Sequence, residues 1–134
     1  MNDVSVKELI EKVQAFCEER DWDQFHNPKD LAIGISTEAN ELLDIFRFKS
    51  DEQQKALLTD EKSRGHIQEE LADVLFFVLR FAQMNDMDLK ACLEDKMEKN
   101  GKKYPADKVR GKNLKYTELQ KDQEMSNEII KSCE

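Results

Sequence analysis

Glycine and proline are scarce in this chain, four and two in 134 residues. That leaves little material for the tight turns of a β-sandwich or barrel, or for a glycine-rich phosphate loop. Cysteine is sparse as well: Cys17, Cys92 and Cys133 are odd in number and lack C-x-x-C spacing. They argue against a disulfide framework or a thiolate zinc site, the first two reading as core filler and the third as a tail thiol. No run of about 18 apolar residues occurs, so no membrane-spanning helix is expected. Residues Met1 to Lys7 show neither a basic nor an apolar leader region, and the expectation is a cytoplasmic protein. Only two histidines are present, His26 and His66. Neither belongs to the Glu-x-x-His motif of a di-iron bundle, and there is no His-Asp dipeptide and no Ser or Cys nucleophile paired with a neighbouring His.

Charge, by contrast, is abundant. Charged residues make up 37% of the chain and the net charge is -8, so the length and composition fit one acidic domain. The sequence is punctuated for helices. Ser5 and Glu8 form a capping-box signal, after which Val6, Leu9, Ile10, Val13, Phe16 and Cys17 recur at helical spacing to about Arg20. Asn27 followed by Pro28 and Asp30 starts a second helix running to about Phe46. Ser50-x-x-Gln53 opens a short polar helix, and a loop holding Gly65 leads into the apolar stretch Ile67 to Ala82. Asp88 caps a last helix with the stripe Leu89, Cys92, Leu93 and Met97, which Gly101 and Pro105 stop. From Ala106 the apolar residues thin out, which predicts an extended arm with a weak helix over Thr117 to Ile130. The expected fold is all-α, an antiparallel four-helix bundle, with a domain over residues 1–105 and an arm over 106–134.

Two of these helices carry acids where a bundle wants carbon. Glu38 falls on the inner stripe formed by Leu31, Ile35, Leu42, Ile45 and Phe46, with Glu41 one turn further on. Asp73 is set into the run LADVLFFVLRFA, with Glu70 three residues before it. An unpaired buried carboxylate costs several kcal/mol, against a total stability of about 5 to 15 kcal/mol for a small domain. Basic partners are few, Arg80 being the one cation within the apolar run and nearly two turns from Asp73. Four convergent carboxylates therefore point to a hard divalent cation, Mg²⁺ or Mn²⁺. The simpler alternative is that Glu38 and Glu41 edge a solvent face, so Asp73 is the informative residue.

Positive charge is concentrated elsewhere. Between Lys96 and Lys115 eight basic residues face two acidic ones, while the rest of the chain holds 13 basic against 27 acidic. A cationic strip beside a divalent metal suits a polyphosphate, whereas the remaining acidic surface would repel a nucleic-acid polymer. Trp22 and Phe25 before the second helix, Phe46 and Phe48 at its end, and Phe77 one turn beyond Asp73 could form a flat slot for a nucleobase. The stretch Ile67 to Ala82 is apolar on more than one side, which predicts a symmetric dimer or a tetramer.

Taken together, these residues resemble a known family. Glu38-x-x-Glu41, 28 intervening residues, Glu70-x-x-Asp73, and then KMEKNGKKYP from Lys96 to Pro105 are similar to the all-α nucleoside triphosphate pyrophosphatases of the MazG type. RDWDQFHNP (Arg20 to Pro28) and FRFKS (Phe46 to Ser50) resemble that family's dCTP-pyrophosphatase-like branch. The resemblance spans about Val6 to Pro105 and implies Mg²⁺-dependent conversion of a nucleoside triphosphate to the monophosphate and pyrophosphate. Such enzymes clean the nucleotide pool and assemble as dimers or dimers of dimers. It further implies that Glu38, Glu41, Glu70 and Asp73 are the catalytic metal ligands, Glu70 being preferred to Glu69 by the family spacing. Lys96, Asn100 and Lys103, with Lys29, would bind the phosphates, while Trp22, His26, Phe48 and Phe77 would line the base pocket. The rival reading is a non-catalytic helical interaction module whose lysine arm grips an acidic partner.

Overall fold

The structure, a computed structural model, describes residues 3–113 and 115–133. Among the described residues it is all-helical, with α1 (Val6–Glu19), a 3-10 turn (Asp23–Phe25), α2 (Pro28–Phe46), α3 (Asp51–Thr59) and α4 (Glu61–Met84). These are followed by α5 (Leu89–Lys103), α6 (Ala106–Val109) and α7 (Tyr116–Cys133). The chain forms two compact units, Met1–Asp88 and Leu89–Glu134.

Side chains that satisfy free backbone N–H groups set the helix starts in the first unit. Ser5 Oγ accepts from the Glu8 N–H at 3.1 Å, and Asn27 Oδ1 accepts from the Asp30 N–H at 2.9 Å, with Pro28 next to the cap. Ser50 and Gln53 form a complete capping box at the head of α3. The loop expected around Gly65 is corrected. Asp60 ends α3 and also accepts from the Ser63 N–H at 3.0 Å, so α4 begins at Glu61 and Gly65 lies inside it. A well-formed cap outweighs one glycine, which costs a helix only about 1 kcal/mol relative to alanine.

In this unit α4 is the central element; α2 packs along it most extensively and α1 and α3 also lie against it. Cys17, Leu31, Ile67, Leu79 and Ala82 form the buried apolar set. Gly34 on α2 is required by close approach, since a Cβ there would meet the Phe77 ring at 2.7 Å. Three pairings run in opposite senses along the two helices: Gly34 with Phe77, Glu38 with Asp73, and Glu41 with Glu70. Thus α2 and α4 are antiparallel, and both acid pairs lie along their contact.

In the second unit, Gly101 is helical and α5 continues to Lys103, two residues short of Pro105, so the expected stop at Gly101 is also corrected. The stretch after Pro105 contains the helix expected over Thr117 to Ile130, within α7, and one further helical turn before it. The Tyr116 N–H of α7 donates to Tyr104 Oη at 3.1 Å while the two rings meet edge to face at 6.1 Å. Leu119 is buried, whereas Leu93, Met97, Met125, Ile129 and Ile130 are exposed. Cys92, expected in the core, is exposed too. No helix among the described residues is long and apolar enough to cross a membrane.

Candidate functional site

The antiparallel contact of α2 and α4 brings three of the four expected acids together. One carboxylate oxygen each from Glu38, Glu41 and Glu70 lies within 4.8 Å of the others. Glu38 and Glu70 are half-buried, and Oε2 of each is buried without a hydrogen-bond partner. Buried acceptors are almost always satisfied, and a buried carboxylate oxygen without a partner is costly. Burial pushes the Glu38 carboxyl up to about 7, with the neighbouring Glu41, Asp73 and Glu70 carboxylates acting in the same direction.

Asp73 differs from expectation. It was the acid expected to be most enclosed, yet it is exposed, and it lies outside the three-oxygen cluster while remaining near enough to raise Glu38. The helices covering α4 bury Ile67 near its start and Leu79, Arg80 and Ala82 near its end, and leave Leu71, Asp73 and Leu75 between them exposed. The apolar run is therefore not enclosed along its whole length by the single chain.

Glu38 and Asp73 line a cleft of about 440 Å³ together with Lys12, Val13, Phe16, Trp22, Phe76 and Phe77. Its aromatic wall interlocks edge to face, Phe16 with Trp22 at 5.7 Å, Phe16 with Phe76 at 5.9 Å and Phe76 with Phe77 at 5.5 Å. Trp22 and Phe77 were expected at such a wall. Phe16 and Phe76 were not, because helical spacing marks both as ordinary core. A second cleft, of about 500 Å³, adjoins the same acids and is lined by Glu41, Asp44, Ile45, Lys49, Leu57, His66 and Glu70. Here His66 Nε2 lies 3.2 Å from Glu70 Oε1.

His26 and Phe48 occupy other surroundings. The His26 ring lies 6.1 Å from that of Trp22, and its Nδ1 accepts from Arg80 Nε at 2.9 Å. Arg80 is only 1% exposed; it also bonds Asp23 and, at 2.6 Å, Gln83 Oε1. Burial, reinforced by the Arg80 charge, lowers the His26 pKa, so the ring is held as a neutral acceptor at Nδ1. The cation that stood alone in the apolar run thus ties the connection between α1 and α2 to α4. Its partners lie 57 and 54 residues away in sequence, and no local pattern signals them. Phe48 is 90% exposed, with a positive φ of 62° just beyond α2, and the Arg47 guanidinium lies 4.8 Å from its ring centre. It does not line the aromatic cleft.

The phosphate-binding candidates are all exposed. Lys29 stands in the first turn of α2, while Lys96, Asn100 and Lys103 share one face of α5 in the second unit. The acid cluster offers only hard oxygen donors, and two of its oxygens, on Glu38 and Glu70, are buried with no N–H donor beside them. That chemistry fits a divalent cation such as Mg²⁺ or Mn²⁺.

The chain is similar to several known proteins. Residues 33–119 match the MazG-like family. The chain is 37% identical over 117 residues to dCTP pyrophosphatase 1 of Rattus norvegicus, an alignment covering 87% of this chain and 69% of the rat protein. With the Homo sapiens protein of the same name it shares 38% over 104 residues, 78% of this chain and 61% of the human one. Among solved structures, a pyrophosphatase from Archaeoglobus fulgidus matches with a TM-score of 0.70 and 35% identity, over 78% of this chain and 96% of that one.

Proposed function

The chain belongs to the MazG-like family, and on that premise we propose what it acts on and how. It is a nucleoside triphosphate pyrophosphatase, splitting its substrate between the α and β phosphorus atoms into the monophosphate and pyrophosphate. The proposed substrate is dCTP, with other deoxynucleotides following, because the similar rat and human proteins are dCTP pyrophosphatases. The proposed role is house-cleaning of the nucleotide pool in the cytoplasm. The observation that carries this reading is the pair of buried, unpartnered oxygens on Glu38 and Glu70 within a cluster of three carboxylates. A module that only bound other proteins would have no use for that arrangement.

Glu38, Glu41, Glu70 and Asp73 are the proposed ligands of Mg²⁺, for which Mn²⁺ can substitute. When bound, the metal supplies charge neutralisation for the triphosphate and a reactive water at neutral pH. The protein's own share is placement and proton handling. Glu38 must release the proton that its raised pKa retains near neutrality, and Glu38 or Glu41 on α2 takes the proton of the attacking water. Trp22 and Phe77 hold the base in the aromatic cleft, with His26 beside Trp22. Phe48 is the remaining proposed base contact, although it is exposed and lies outside the aromatic cleft. Lys96, Asn100 and Lys103, with Lys29, hold the phosphates. The catalytic domain is proposed to span residues 1–105, with 106–134 as an arm. Its helices would form an antiparallel four-helix bundle assembled as a dimer or a dimer of dimers. In support of assembly, apolar residues one turn apart are exposed on two helices, Leu71 and Leu75 on α4 and Leu93 and Met97 on α5.

The test is incubation with each of the four dNTPs and Mg²⁺, with and without EDTA. Release of dCMP and pyrophosphate from dCTP, abolished by EDTA, is expected. Orthophosphate as the product, or turnover indifferent to EDTA, would overturn the reading.

A further inference from the structure

We propose that His66 is a positioning residue for the acid cluster: its imidazole engages one oxygen of Glu70 and would hold the other ready for a divalent cation. The inference rests on the metal reading given above and adds a residue outside the acid pairs. His66 and Glu70 lie one turn apart on α4, with Nε2 at 3.2 Å from Oε1. With the hydrogen on Nε2, the ring donates to the carboxylate oxygen. The two oxygens of Glu70 are therefore distinguished: Oε1 is engaged by the ring, whereas Oε2 is buried and has no partner.

An exposed His–Glu pair on a helix would by itself mean little. This pair is asymmetric, the Glu70 side chain being 13% exposed and that of His66 57%. Its inner end belongs to the three-carboxylate cluster and its outer end opens on the 500 Å³ cleft with Lys49, away from the aromatic wall. A glutamate turns about three side-chain bonds. Clamping one oxygen removes most of that freedom before a cation arrives, and hydrogen bonds of this kind to ligating groups orient them and tune metal affinity. His66 thus acts through Glu70 and has no contact of its own with the cation.

Mn²⁺ binding to the nucleotide-free full chain, followed by electron paramagnetic resonance, tests this without any turnover. His66→Ala is expected to weaken Mn²⁺ binding by ~10-fold or more, while the melting temperature in EDTA and the helical circular dichroism stay at wild-type values. His66→Gln, which keeps a side-chain N–H able to reach Glu70, is expected to recover binding to within ~3-fold of wild type. Unchanged affinity in His66→Ala overturns the proposal and leaves the metal site standing. Loss in both variants makes His66 a ligand itself, which also overturns it. A wild-type protein that binds no Mn²⁺ removes the metal reading along with it.

Discussion

Replacing Glu38 by Gln preserves the shape of the side chain and removes the charge that the site opposes most strongly. In the metal-free protein this carboxyl is pushed up from 4.5 to about 7, by burial first and by the surrounding carboxylates second. Between those two values the folded protein holds the proton more tightly than the unfolded chain does. Stability therefore falls as pH rises through the window and reaches its full deficit above about 7. The displacement corresponds to ~3 kcal/mol, but the side chain is only half-buried and water enters the cleft, which reduces the measurable part to ~1–2 kcal/mol. Glu38→Gln is accordingly expected to melt ~3–8 °C above wild type near about pH 8 in EDTA, and within ~1 °C of it near about pH 4.5. Saturating Mg²⁺ or Mn²⁺ near about pH 8 should reverse the order, because a ligand that binds only the folded wild type stabilises only that protein. Differential scanning fluorimetry across the pH range, with and without metal, reads both effects. A variant that melts at or below the wild-type temperature in EDTA near about pH 8 would refute the assignment of an uncompensated buried carboxylate.

Three further outcomes are expected. Asp73→Asn should lower pyrophosphate release by ~10²-fold or more with unchanged circular dichroism, and full activity would remove this residue from the metal site. Lys103→Ala should raise KM for dCTP by ~10-fold; an unchanged KM would dissociate α5 from phosphate binding. Gly34→Ala places a methyl group 2.7 Å from the Phe77 ring, so the ring or the helix must shift, costing ~1–3 kcal/mol in denaturant unfolding, and KM should rise as the cleft distorts.

The helices were legible wherever a cap and a stripe coincided, as at Ser5 with Val6 to Cys17, at Asn27 with Pro28, and at Ser50 with Gln53. Gly65 misled because a residue's own preference was weighed without the stronger signal of Asp60 five positions earlier. The spacing of Glu38, Glu41 and Glu70 placed them correctly on facing stripes, and the structure gathers their oxygens within 4.8 Å. The apolar letters around Asp73 predict enclosure, but enclosure depends on which other helices lie over a segment, and residues 71–73 are exposed. Phe16 and Phe76 escaped notice for a related reason: a core position and a cleft wall have the same helical periodicity. The pairing of His66 with Glu70, by contrast, is local at i and i+4, and its meaning emerges only once the far oxygen of Glu70 is seen to be buried and unpartnered.

The connection that carries Trp22 is fastened from behind. Arg80 grips Asp23 and His26 at once, and peeling that segment from α4 would strand a guanidinium in carbon-rich surroundings. Loss of Arg80 would therefore loosen an aromatic wall that it does not itself line.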